Sequence, residues 1–448
     1  MQILSSILFI ALALVGISFF AINAKKIYRN IKLGQPVDRT DNPSERWKNM
    51  LFIAFGQKKM FSRPIPALLH LAIYVAFIIT QIELIEIFID GIFGTHRVFK
   101  DSLGQLYTFI ISLIEIVSLG ALIATIAFLS RRNLLKLPRL NKEELLGWPK
   151  KDGNIILMME LVLVFCIFTM NGTDEALFNM GASHYGTGTQ GSFGFAISQH
   201  LGPAIFGSMS EGTLHILERV GWWGHFAMVL AFLNYLYFSK HLHILLAFPN
   251  TYFANLKPLG QLDNLQSVTN EVKLMMDPNA DPFAAPAPDA DAVPAKFGVS
   301  DVQDLNWVQL LNAYSCTECG RCTSSCPANI TGKKLSPRNI MMKTRDRLEE
   351  VGKNIDANKG AFVDDGKSLL NDYITPEELW ACTSCNACVQ ECPIDINPLS
   401  IIMDMRRYLV MEQSAAPMEL NTMMTNIENN GAPWQYNQMD RLNWKDEN

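Results

Sequence analysis

CTECGRCTSSCP, from Cys316 to Pro327, decides how the second half of this chain is read. The arrangement returns as CTSCNACVQECP from Cys382 to Pro393. Each run is C-x2-C-x2-C-x3-C-P, and the two hold eight of the nine cysteines. Three thiolates on one tight loop can hold three irons of a cubane. The fourth, beyond a short turn and fixed by proline, is placed for the other cubane. The spacing therefore predicts two [4Fe–4S] clusters with crossed ligands. Cys316, Cys319, Cys322 and Cys392 would hold one, and Cys382, Cys385, Cys388 and Cys326 the other. Structural zinc sites commonly present paired C-x2-C knuckles instead of two identical triplet-plus-one runs ending in Pro. Repeated spacing of this kind points to metal ligation in a reducing compartment, not to disulfides. Cys166, alone in an apolar run, reads as a buried apolar residue.

Upstream of the cysteines the chain changes character. Hydrophobic residues make up 49% of its 448 and charged residues only 18%, below the roughly 25% of a soluble domain. A net charge of −5 argues against nucleic acid as the main partner. Long apolar runs fill the part before about residue 250. The first, Ile3 to Ala24, is followed by Lys25, Lys26 and Arg29, which predicts a retained helix with its N-terminus outside. Further spans are expected over Pro64–Ile89, Leu103–Leu129, Ile155–Asn171 and Val220–Lys240, each near the roughly 17–25 residues a bilayer requires. Ile197–Met209 is too short and too broken by Gly and Pro to span, and is expected to be interfacial or re-entrant. Residues 25–63 hold ten Lys and Arg against three acids, and 131–151 hold seven against two, whereas 172–212 hold neither base. Both basic loops are expected in the cytoplasm. Five spans then leave the cysteines there too, in a prokaryotic inner membrane.

All eight histidines precede residue 250. His70 lies near the cytoplasmic end of the second span. His225 and His243 are eighteen residues apart, five helical turns, so on a continuous helix both face one side about 27 Å apart. A histidine inside a span is costly without a role, and two from facing helices can ligate a haem b iron. His70 and His243 match in depth and form the expected pair. His225 has no histidine opposite it in the second span, so one haem is expected, and a second would need His200 or another outer residue. Glu83 and Glu86 near the outer end of the second span, Glu115 in the third and Glu160 in the fourth are deep carboxyls. Such groups either relay protons and hydrogen-bond a quinone or pair structurally.

The chain divides into a membrane part (1–248), a polar and Ala/Pro/Asp-rich linker (249–300), a cluster domain (301–412) and a C-terminal extension (413–448). That extension is expected to pack on the cluster domain or on a partner. Helices are predicted over Val302–Tyr314, Ser336–Glu350, from Thr375 to Trp380 and over Pro398–Met411, with few strand signals. The fold class is a multi-pass α-helical membrane domain of about five spans followed by a mainly α-helical dicluster ferredoxin-like domain.

The first half resembles the cytochrome b membrane subunit of respiratory nitrate reductase and its relatives in heterodisulfide- and sulfite-reduction complexes. Five spans, a histidine in the second and a pair eighteen apart in the fifth carry that likeness. The second half resembles the small iron–sulfur subunit of heterodisulfide reductase, through both cysteine runs, MRRYLV at Met405–Val410 and NIENNGAPW at Asn426–Trp434. The resemblance implies haem ligands on helices two and five, here His70, His225 and His243, and exchange with menaquinol or a similar quinone. Glu83 or Glu86 would accept the quinol protons. It also implies a partner carrying CCG motifs, or a flavoprotein, with the substrate site; no CCG run occurs here. The implied role is a quinone-linked oxidoreductase subunit. The alternative is a haem-free membrane-tethered ferredoxin, relay and anchor for a larger complex.

Overall fold

The computed structural model describes residues 2–182, 191–278 and 296–446. Five helices are long and apolar enough to cross a membrane: Gln2–Ile31, Pro64–Phe93, Gln105–Asn133, Trp148–Met180 and Glu211–Phe238. At 28 to 33 residues each is about 42–50 Å long and outreaches the ~30 Å hydrocarbon core of a bilayer. Ile3, Leu14 and Val15 on the first, Phe109 and Ile123 on the third and Phe165 on the fourth are exposed. Apolar surface of this extent is costly in water and is what lipid tails cover. The fold is a multi-pass α-helical membrane domain of about five spans joined to a mainly α-helical, cysteine-rich domain.

The fourth helix packs along the fifth, the second along the third, and the first against the fifth and the end of the second. Small residues permit the closest approaches. A β-carbon at Gly221 would lie 2.9 Å from the Met170 nitrogen. Gly221→Val is therefore expected to destabilise by about 1–3 kcal/mol through overpacking, read as a lower melting temperature in detergent. The short helix Ser198–Phe206 lies against the fourth span, where Gly202 meets Gly172. The second span breaks at Thr80 into Pro64–Ile79 and Gln81–Phe93. Thr80 Oγ1 and Gln81 Nε2 donate to the Phe77 carbonyl at 3.3 and 2.8 Å, a side-chain competition that bends helices.

The fifth span does not continue through His243 as the eighteen-residue spacing predicts. Its α-helix ends at Tyr235, Ser239 is extended, and a new helix runs His243–Tyr252. Ser239 caps the new turn by accepting from the His241 N–H at 3.0 Å, and Asp152 at the foot of the fourth span holds the break. It accepts from the Tyr235 hydroxyl at 2.8 Å and the Lys240 N–H at 3.2 Å, while Lys240 Nζ reaches the Pro149 carbonyl at 2.6 Å and Glu318 at 2.5 Å. His225 and His243 therefore sit on separate helices, and the one-face argument fails.

Helices Trp307–Ser315, Pro337–Ala357 and Pro398–Met411 frame the cysteine-rich domain. Each starts on a side chain that accepts first-turn N–H groups, from Asn306, Ser336 and Asn397, which satisfies donors the helix cannot. The helix expected over Val302–Tyr314 is split. Asp301 caps a 3-10 turn at Val302–Asp304, and a second capping box, Asn306 with Gln309, restarts the chain. Thr375 caps Pro376–Trp380 with Glu378 as expected. No strand occurs among the described residues.

The two halves meet through polar contacts. Arg29 Nη2 donates to Gly352 O at 2.9 Å, and Asn30 Nδ2 to the Tyr314 hydroxyl at 2.9 Å. Arg338, 1% exposed, donates to Arg139 O at 2.7 Å and to Glu144 at 2.8 Å. The start of the stretch expected as linker belongs to this joint. Its helix runs through Pro249, and Asn250, Thr251 and Ala254 are buried. Asn250 Nδ2 donates to Ile394 O at 2.6 Å and its Oδ1 accepts from Asn312 at 2.9 Å. Its polar side chains serve the neighbouring domain, which composition alone does not reveal. The Ala/Pro/Asp-rich run at 279–295 lies outside the described residues.

Candidate metal centres

Both cysteine runs wind the same way. Glu318 and Gly320 take left-handed backbone conformations at the second and fourth positions after Cys316, and Ser384 and Asn386 do so after Cys382. Gly adopts this conformation without strain and Asn tolerates it. Two such residues per loop curl three cysteines around one space, after which Arg321–Ser324 and Ala387–Glu391 turn helical. The fourth cysteine of each run crosses over. One cavity, about 390 Å³ with its open mouth, is lined by Cys316, Cys319, Cys322 and Cys392. The other, about 300 Å³ on the same measure, is lined by Cys326, Cys382, Cys385 and Cys388. Cys388 borders both.

The donor set suits iron–sulfur clusters. All eight cysteines are free of disulfides, and Cys385 alone of them is exposed. Burial pushes the Cys316 thiol up to about 11 and Cys388 up to about 12, and it also raises Cys322 and Cys392 well above the ordinary thiol value. Thiols this reluctant to ionise need a bound cation to become ligands, and a metal ion supplies that charge. The Ile396 N–H points at Cys392 Sγ at 3.3 Å and the Ser384 N–H at Cys382 Sγ at 3.4 Å, contacts that tune cluster potentials.

His70 and His243 face one another with ring centroids 6.3 Å apart. Two imidazoles on opposite sides of one metal, with bonds of about 2.0–2.1 Å, would place their centroids roughly 6.4 Å apart. His70 Nδ1 meets Gln57 Oε1 at 3.1 Å, and His243 Nδ1 meets Lys240 O at 3.3 Å. Each acceptor fixes the proton on Nδ1 and leaves Nε2 as a lone-pair donor, the arrangement metal-bound histidines use. Apolar surroundings hold His243 down to about 4, so it is neutral and able to ligate. His241 packs beside it, centroids 5.1 Å apart. The spacing matches two imidazoles that share one metal ion.

The outer groups separate into engaged and unengaged. His225 is 5% exposed and its Nδ1 has no partner; both oxygens of Glu83, 1% exposed, also lack one. Unsatisfied polar atoms at such depth are costly and call for an occupant. Glu86, by contrast, accepts from the Tyr107 hydroxyl at 2.8 Å and the Phe99 N–H at 3.1 Å. Glu115 accepts from Asn171 at 3.2 Å and from the N–H groups of Ile197 and Ser198 at 2.8 and 3.1 Å. Glu86 and Glu115 therefore have structural partners. His200, suggested as an outer ligand, is exposed.

Sequence reasoning passed over Arg97, which organises this end. Buried among acids, it donates to Asp174 at 2.6 Å, to Tyr107 at 2.9 Å and to Asn171 at 2.7 Å, beside the stacked rings of Phe193 and Phe195. The count of acids there against so few bases was the available signal. His96, Asp174 and Glu218 bring ligand atoms within 4.8 Å of one another. Arg97 already binds Asp174 and Arg219 binds Glu218, so this trio is an ion-pair network.

Residues 315–396 match the 4Fe-4S dicluster domain family. The chain is 28% identical to "Probable iron-sulfur-binding oxidoreductase FadF" of Bacillus subtilis, across 99% of this chain and 61% of that protein. It is 26% identical to "EtfAB:quinone oxidoreductase" of Syntrophomonas wolfei, across 92% of this chain and 55% of that protein. A "Probable membrane-anchored ferredoxin" of Chromohalobacter salexigens is 34% identical over 35% of this chain and 25% of its own length. No solved structure matches. The chain thus spans 55–61% of the length of its two long-matching relatives, and it is similar to membrane-associated iron–sulfur oxidoreductases that carry more polypeptide than it does.

Proposed function

We propose that this chain is a membrane-tethered iron–sulfur relay that moves electrons between a quinone in the bilayer and a redox partner on the cytoplasmic face. The carrying observation is the order of centres: two four-cysteine cavities sharing Cys388 stand beside the bundle end that holds the His70–His243 pair. Basic loops at that end support a cytoplasmic cluster domain and an N-terminus outside. Membrane part, linker, cluster domain and extension divide at 248, 300 and 412 in this reading.

The eight cysteines would hold two [4Fe–4S] clusters, and His70 and His243 a haem b. When bound, these groups store and pass single electrons. Glu83, the deep carboxyl without a hydrogen-bond partner, would take a proton from a quinol hydroxyl; Glu86 would hold Tyr107 and the chain at Phe99 in place. His225, equally unpartnered, would face the quinone or a second haem. The name EtfAB:quinone oxidoreductase supports a quinone such as menaquinone as one partner. The substrate site would lie with a cytoplasmic redox partner. That partner would be a CCG-motif iron–sulfur subunit or a flavoprotein, and likeness to heterodisulfide reductase subunits supports a place in a multi-subunit complex. The membrane-anchored ferredoxin relative supports a second reading, in which clusters alone carry electrons and the spans are an anchor.

Anaerobic purification in mild detergent separates the two. Reduced b-type bands with about eight non-haem irons per chain are expected, and His70→Ala or His243→Ala should abolish the bands while leaving the iron. Eight irons with no b-type bands in the wild type would leave the haem-free relay standing.

A further inference from the structure

Gln57 is an unusual residue for a connecting turn. It is 4% exposed and adopts a left-handed conformation, φ 50° and ψ 29°, which residues with a β-carbon rarely take without a compensating role. Its Oε1 accepts from His70 Nδ1 at 3.1 Å. It also begins the 3-10 turn Lys58–Ser62, which both cysteine runs clasp. Arg321, 2% exposed and lying between Cys319 and Cys322, donates to the Lys59 carbonyl at 3.2 Å and the Met60 carbonyl at 3.4 Å. Lys59 Nζ meets Asp395, three residues past Cys392, at 2.6 Å, and Arg63 meets Glu391 at 3.0 Å. One end of this turn thus holds a histidine and its other contacts hold the loops of the first cavity.

We propose that Gln57 is a positioning residue that sets the donor strength of His70, and that the 57–63 turn registers the histidine pair against the first cysteine cavity. This rests on the reading of His70 and His243 as haem ligands. An acceptor on Nδ1–H makes the opposite nitrogen a stronger donor to metal. A stronger donor favours the oxidised iron, so the hydrogen bond lowers the haem potential. Among the described residues Gln57 is the hydrogen-bond partner of His70 Nδ1, so it controls that nitrogen.

The test compares wild type with Gln57→Met, nearly the same volume but without the acceptor, and Gln57→Glu, the same shape with a stronger one. The full chain in detergent would be titrated potentiometrically at the b-type band, with haem and iron content measured alongside. The haem midpoint is expected to rise in Q57M and fall in Q57E, with iron at the wild-type level in both. Q57M is also expected to bind haem 10–100-fold more weakly, the usual effect of removing such a partner. Haem present with all three midpoints equal overturns the inference and leaves the haem reading intact. A wild type without b-type haem overturns both. Should Q57M not assemble, the downward shift in Q57E alone decides.

Discussion

Replacing Cys392 by alanine is expected to remove the cluster of the first cysteine run, not of its own. Iron should fall from about eight to about four per chain, since Cys392 lines the cavity of Cys316, Cys319 and Cys322. The decisive comparison is with two triple variants. Where Cys316, Cys319 and Cys322 are already alanine, adding C392A should change nothing, because that cluster is already gone. Where Cys382, Cys385 and Cys388 are alanine, adding C392A should take iron to the level of a chain without clusters. Uncrossed ligation predicts the reverse pair of results. Cys326→Ala provides the mirror test, because Cys326 lines the cavity of the second run. Acid-labile sulfide should follow iron in every variant; iron lost without sulfide would indicate mononuclear metal and end the cubane reading.

Spacing made the cysteine groups legible because a C-x2-C-x2-C loop has few ways to fold around metal. The repeated left-handed positions at Glu318, Gly320, Ser384 and Asn386 are the backbone expression of that spacing. The five spans were legible for a similar reason: backbone polar groups in lipid must be satisfied within the helix, so apolar length alone identifies them. Whereas the separate one-face argument for His225 and His243 failed, depth matching found the His70–His243 pair. The two do approach, yet the five-turn spacing from His225 to His243 is interrupted at Ser239. Ser239 caps the next turn by accepting from the His241 N–H, a local signal, but the hold on the chain by Asp152 comes from another span and leaves no local trace. Gln57 and Arg97 were invisible on the same ground. Their partners lie 13 residues away for Gln57 and 77 residues away for the Arg97–Asp174 pair, and periodicity carries no information about such contacts. The deep glutamates show the limit most directly: sequence ranks Glu83 and Glu86 alike, and only their surroundings separate a carboxyl with two partners from one with none.

Arg97→Met is expected to destabilise the far end of the bundle by about 3–5 kcal/mol, the usual cost of removing one member of a buried ion pair. The loss exceeds one salt bridge because Asp174, Asn171 and Tyr107 all lose a donor. Tyr107 in turn donates to Glu86, and Glu86 secures the chain at Phe99. Asp90 fixes the Arg97 N–H at 2.7 Å from the end of the second span. The span segment carrying Glu83 is thus anchored through residues that Arg97 holds. The expected readout is an early thermal transition in detergent, with the cysteine-rich domain and its iron keeping their wild-type stability, since the affected contacts lie at the opposite end of the spans. A second substitution tells pairing from packing. Asp174→Asn in the R97M background removes the buried carboxylate that has lost its arginine, so the double variant should be more stable than R97M alone, against the sum of two losses. If the two effects simply add, the arginine acts through its packing against Phe193 and Phe195 and the charge network has no independent role. The proposed quinone chemistry offers a separate measure: if the chain oxidises a quinol, Glu83→Gln should slow it with the fold intact, whereas R97M should slow it only as far as the second span loosens. Equal slowing in a Glu86→Gln variant would contradict the assignment of Glu86 to structure and Glu83 to the proton.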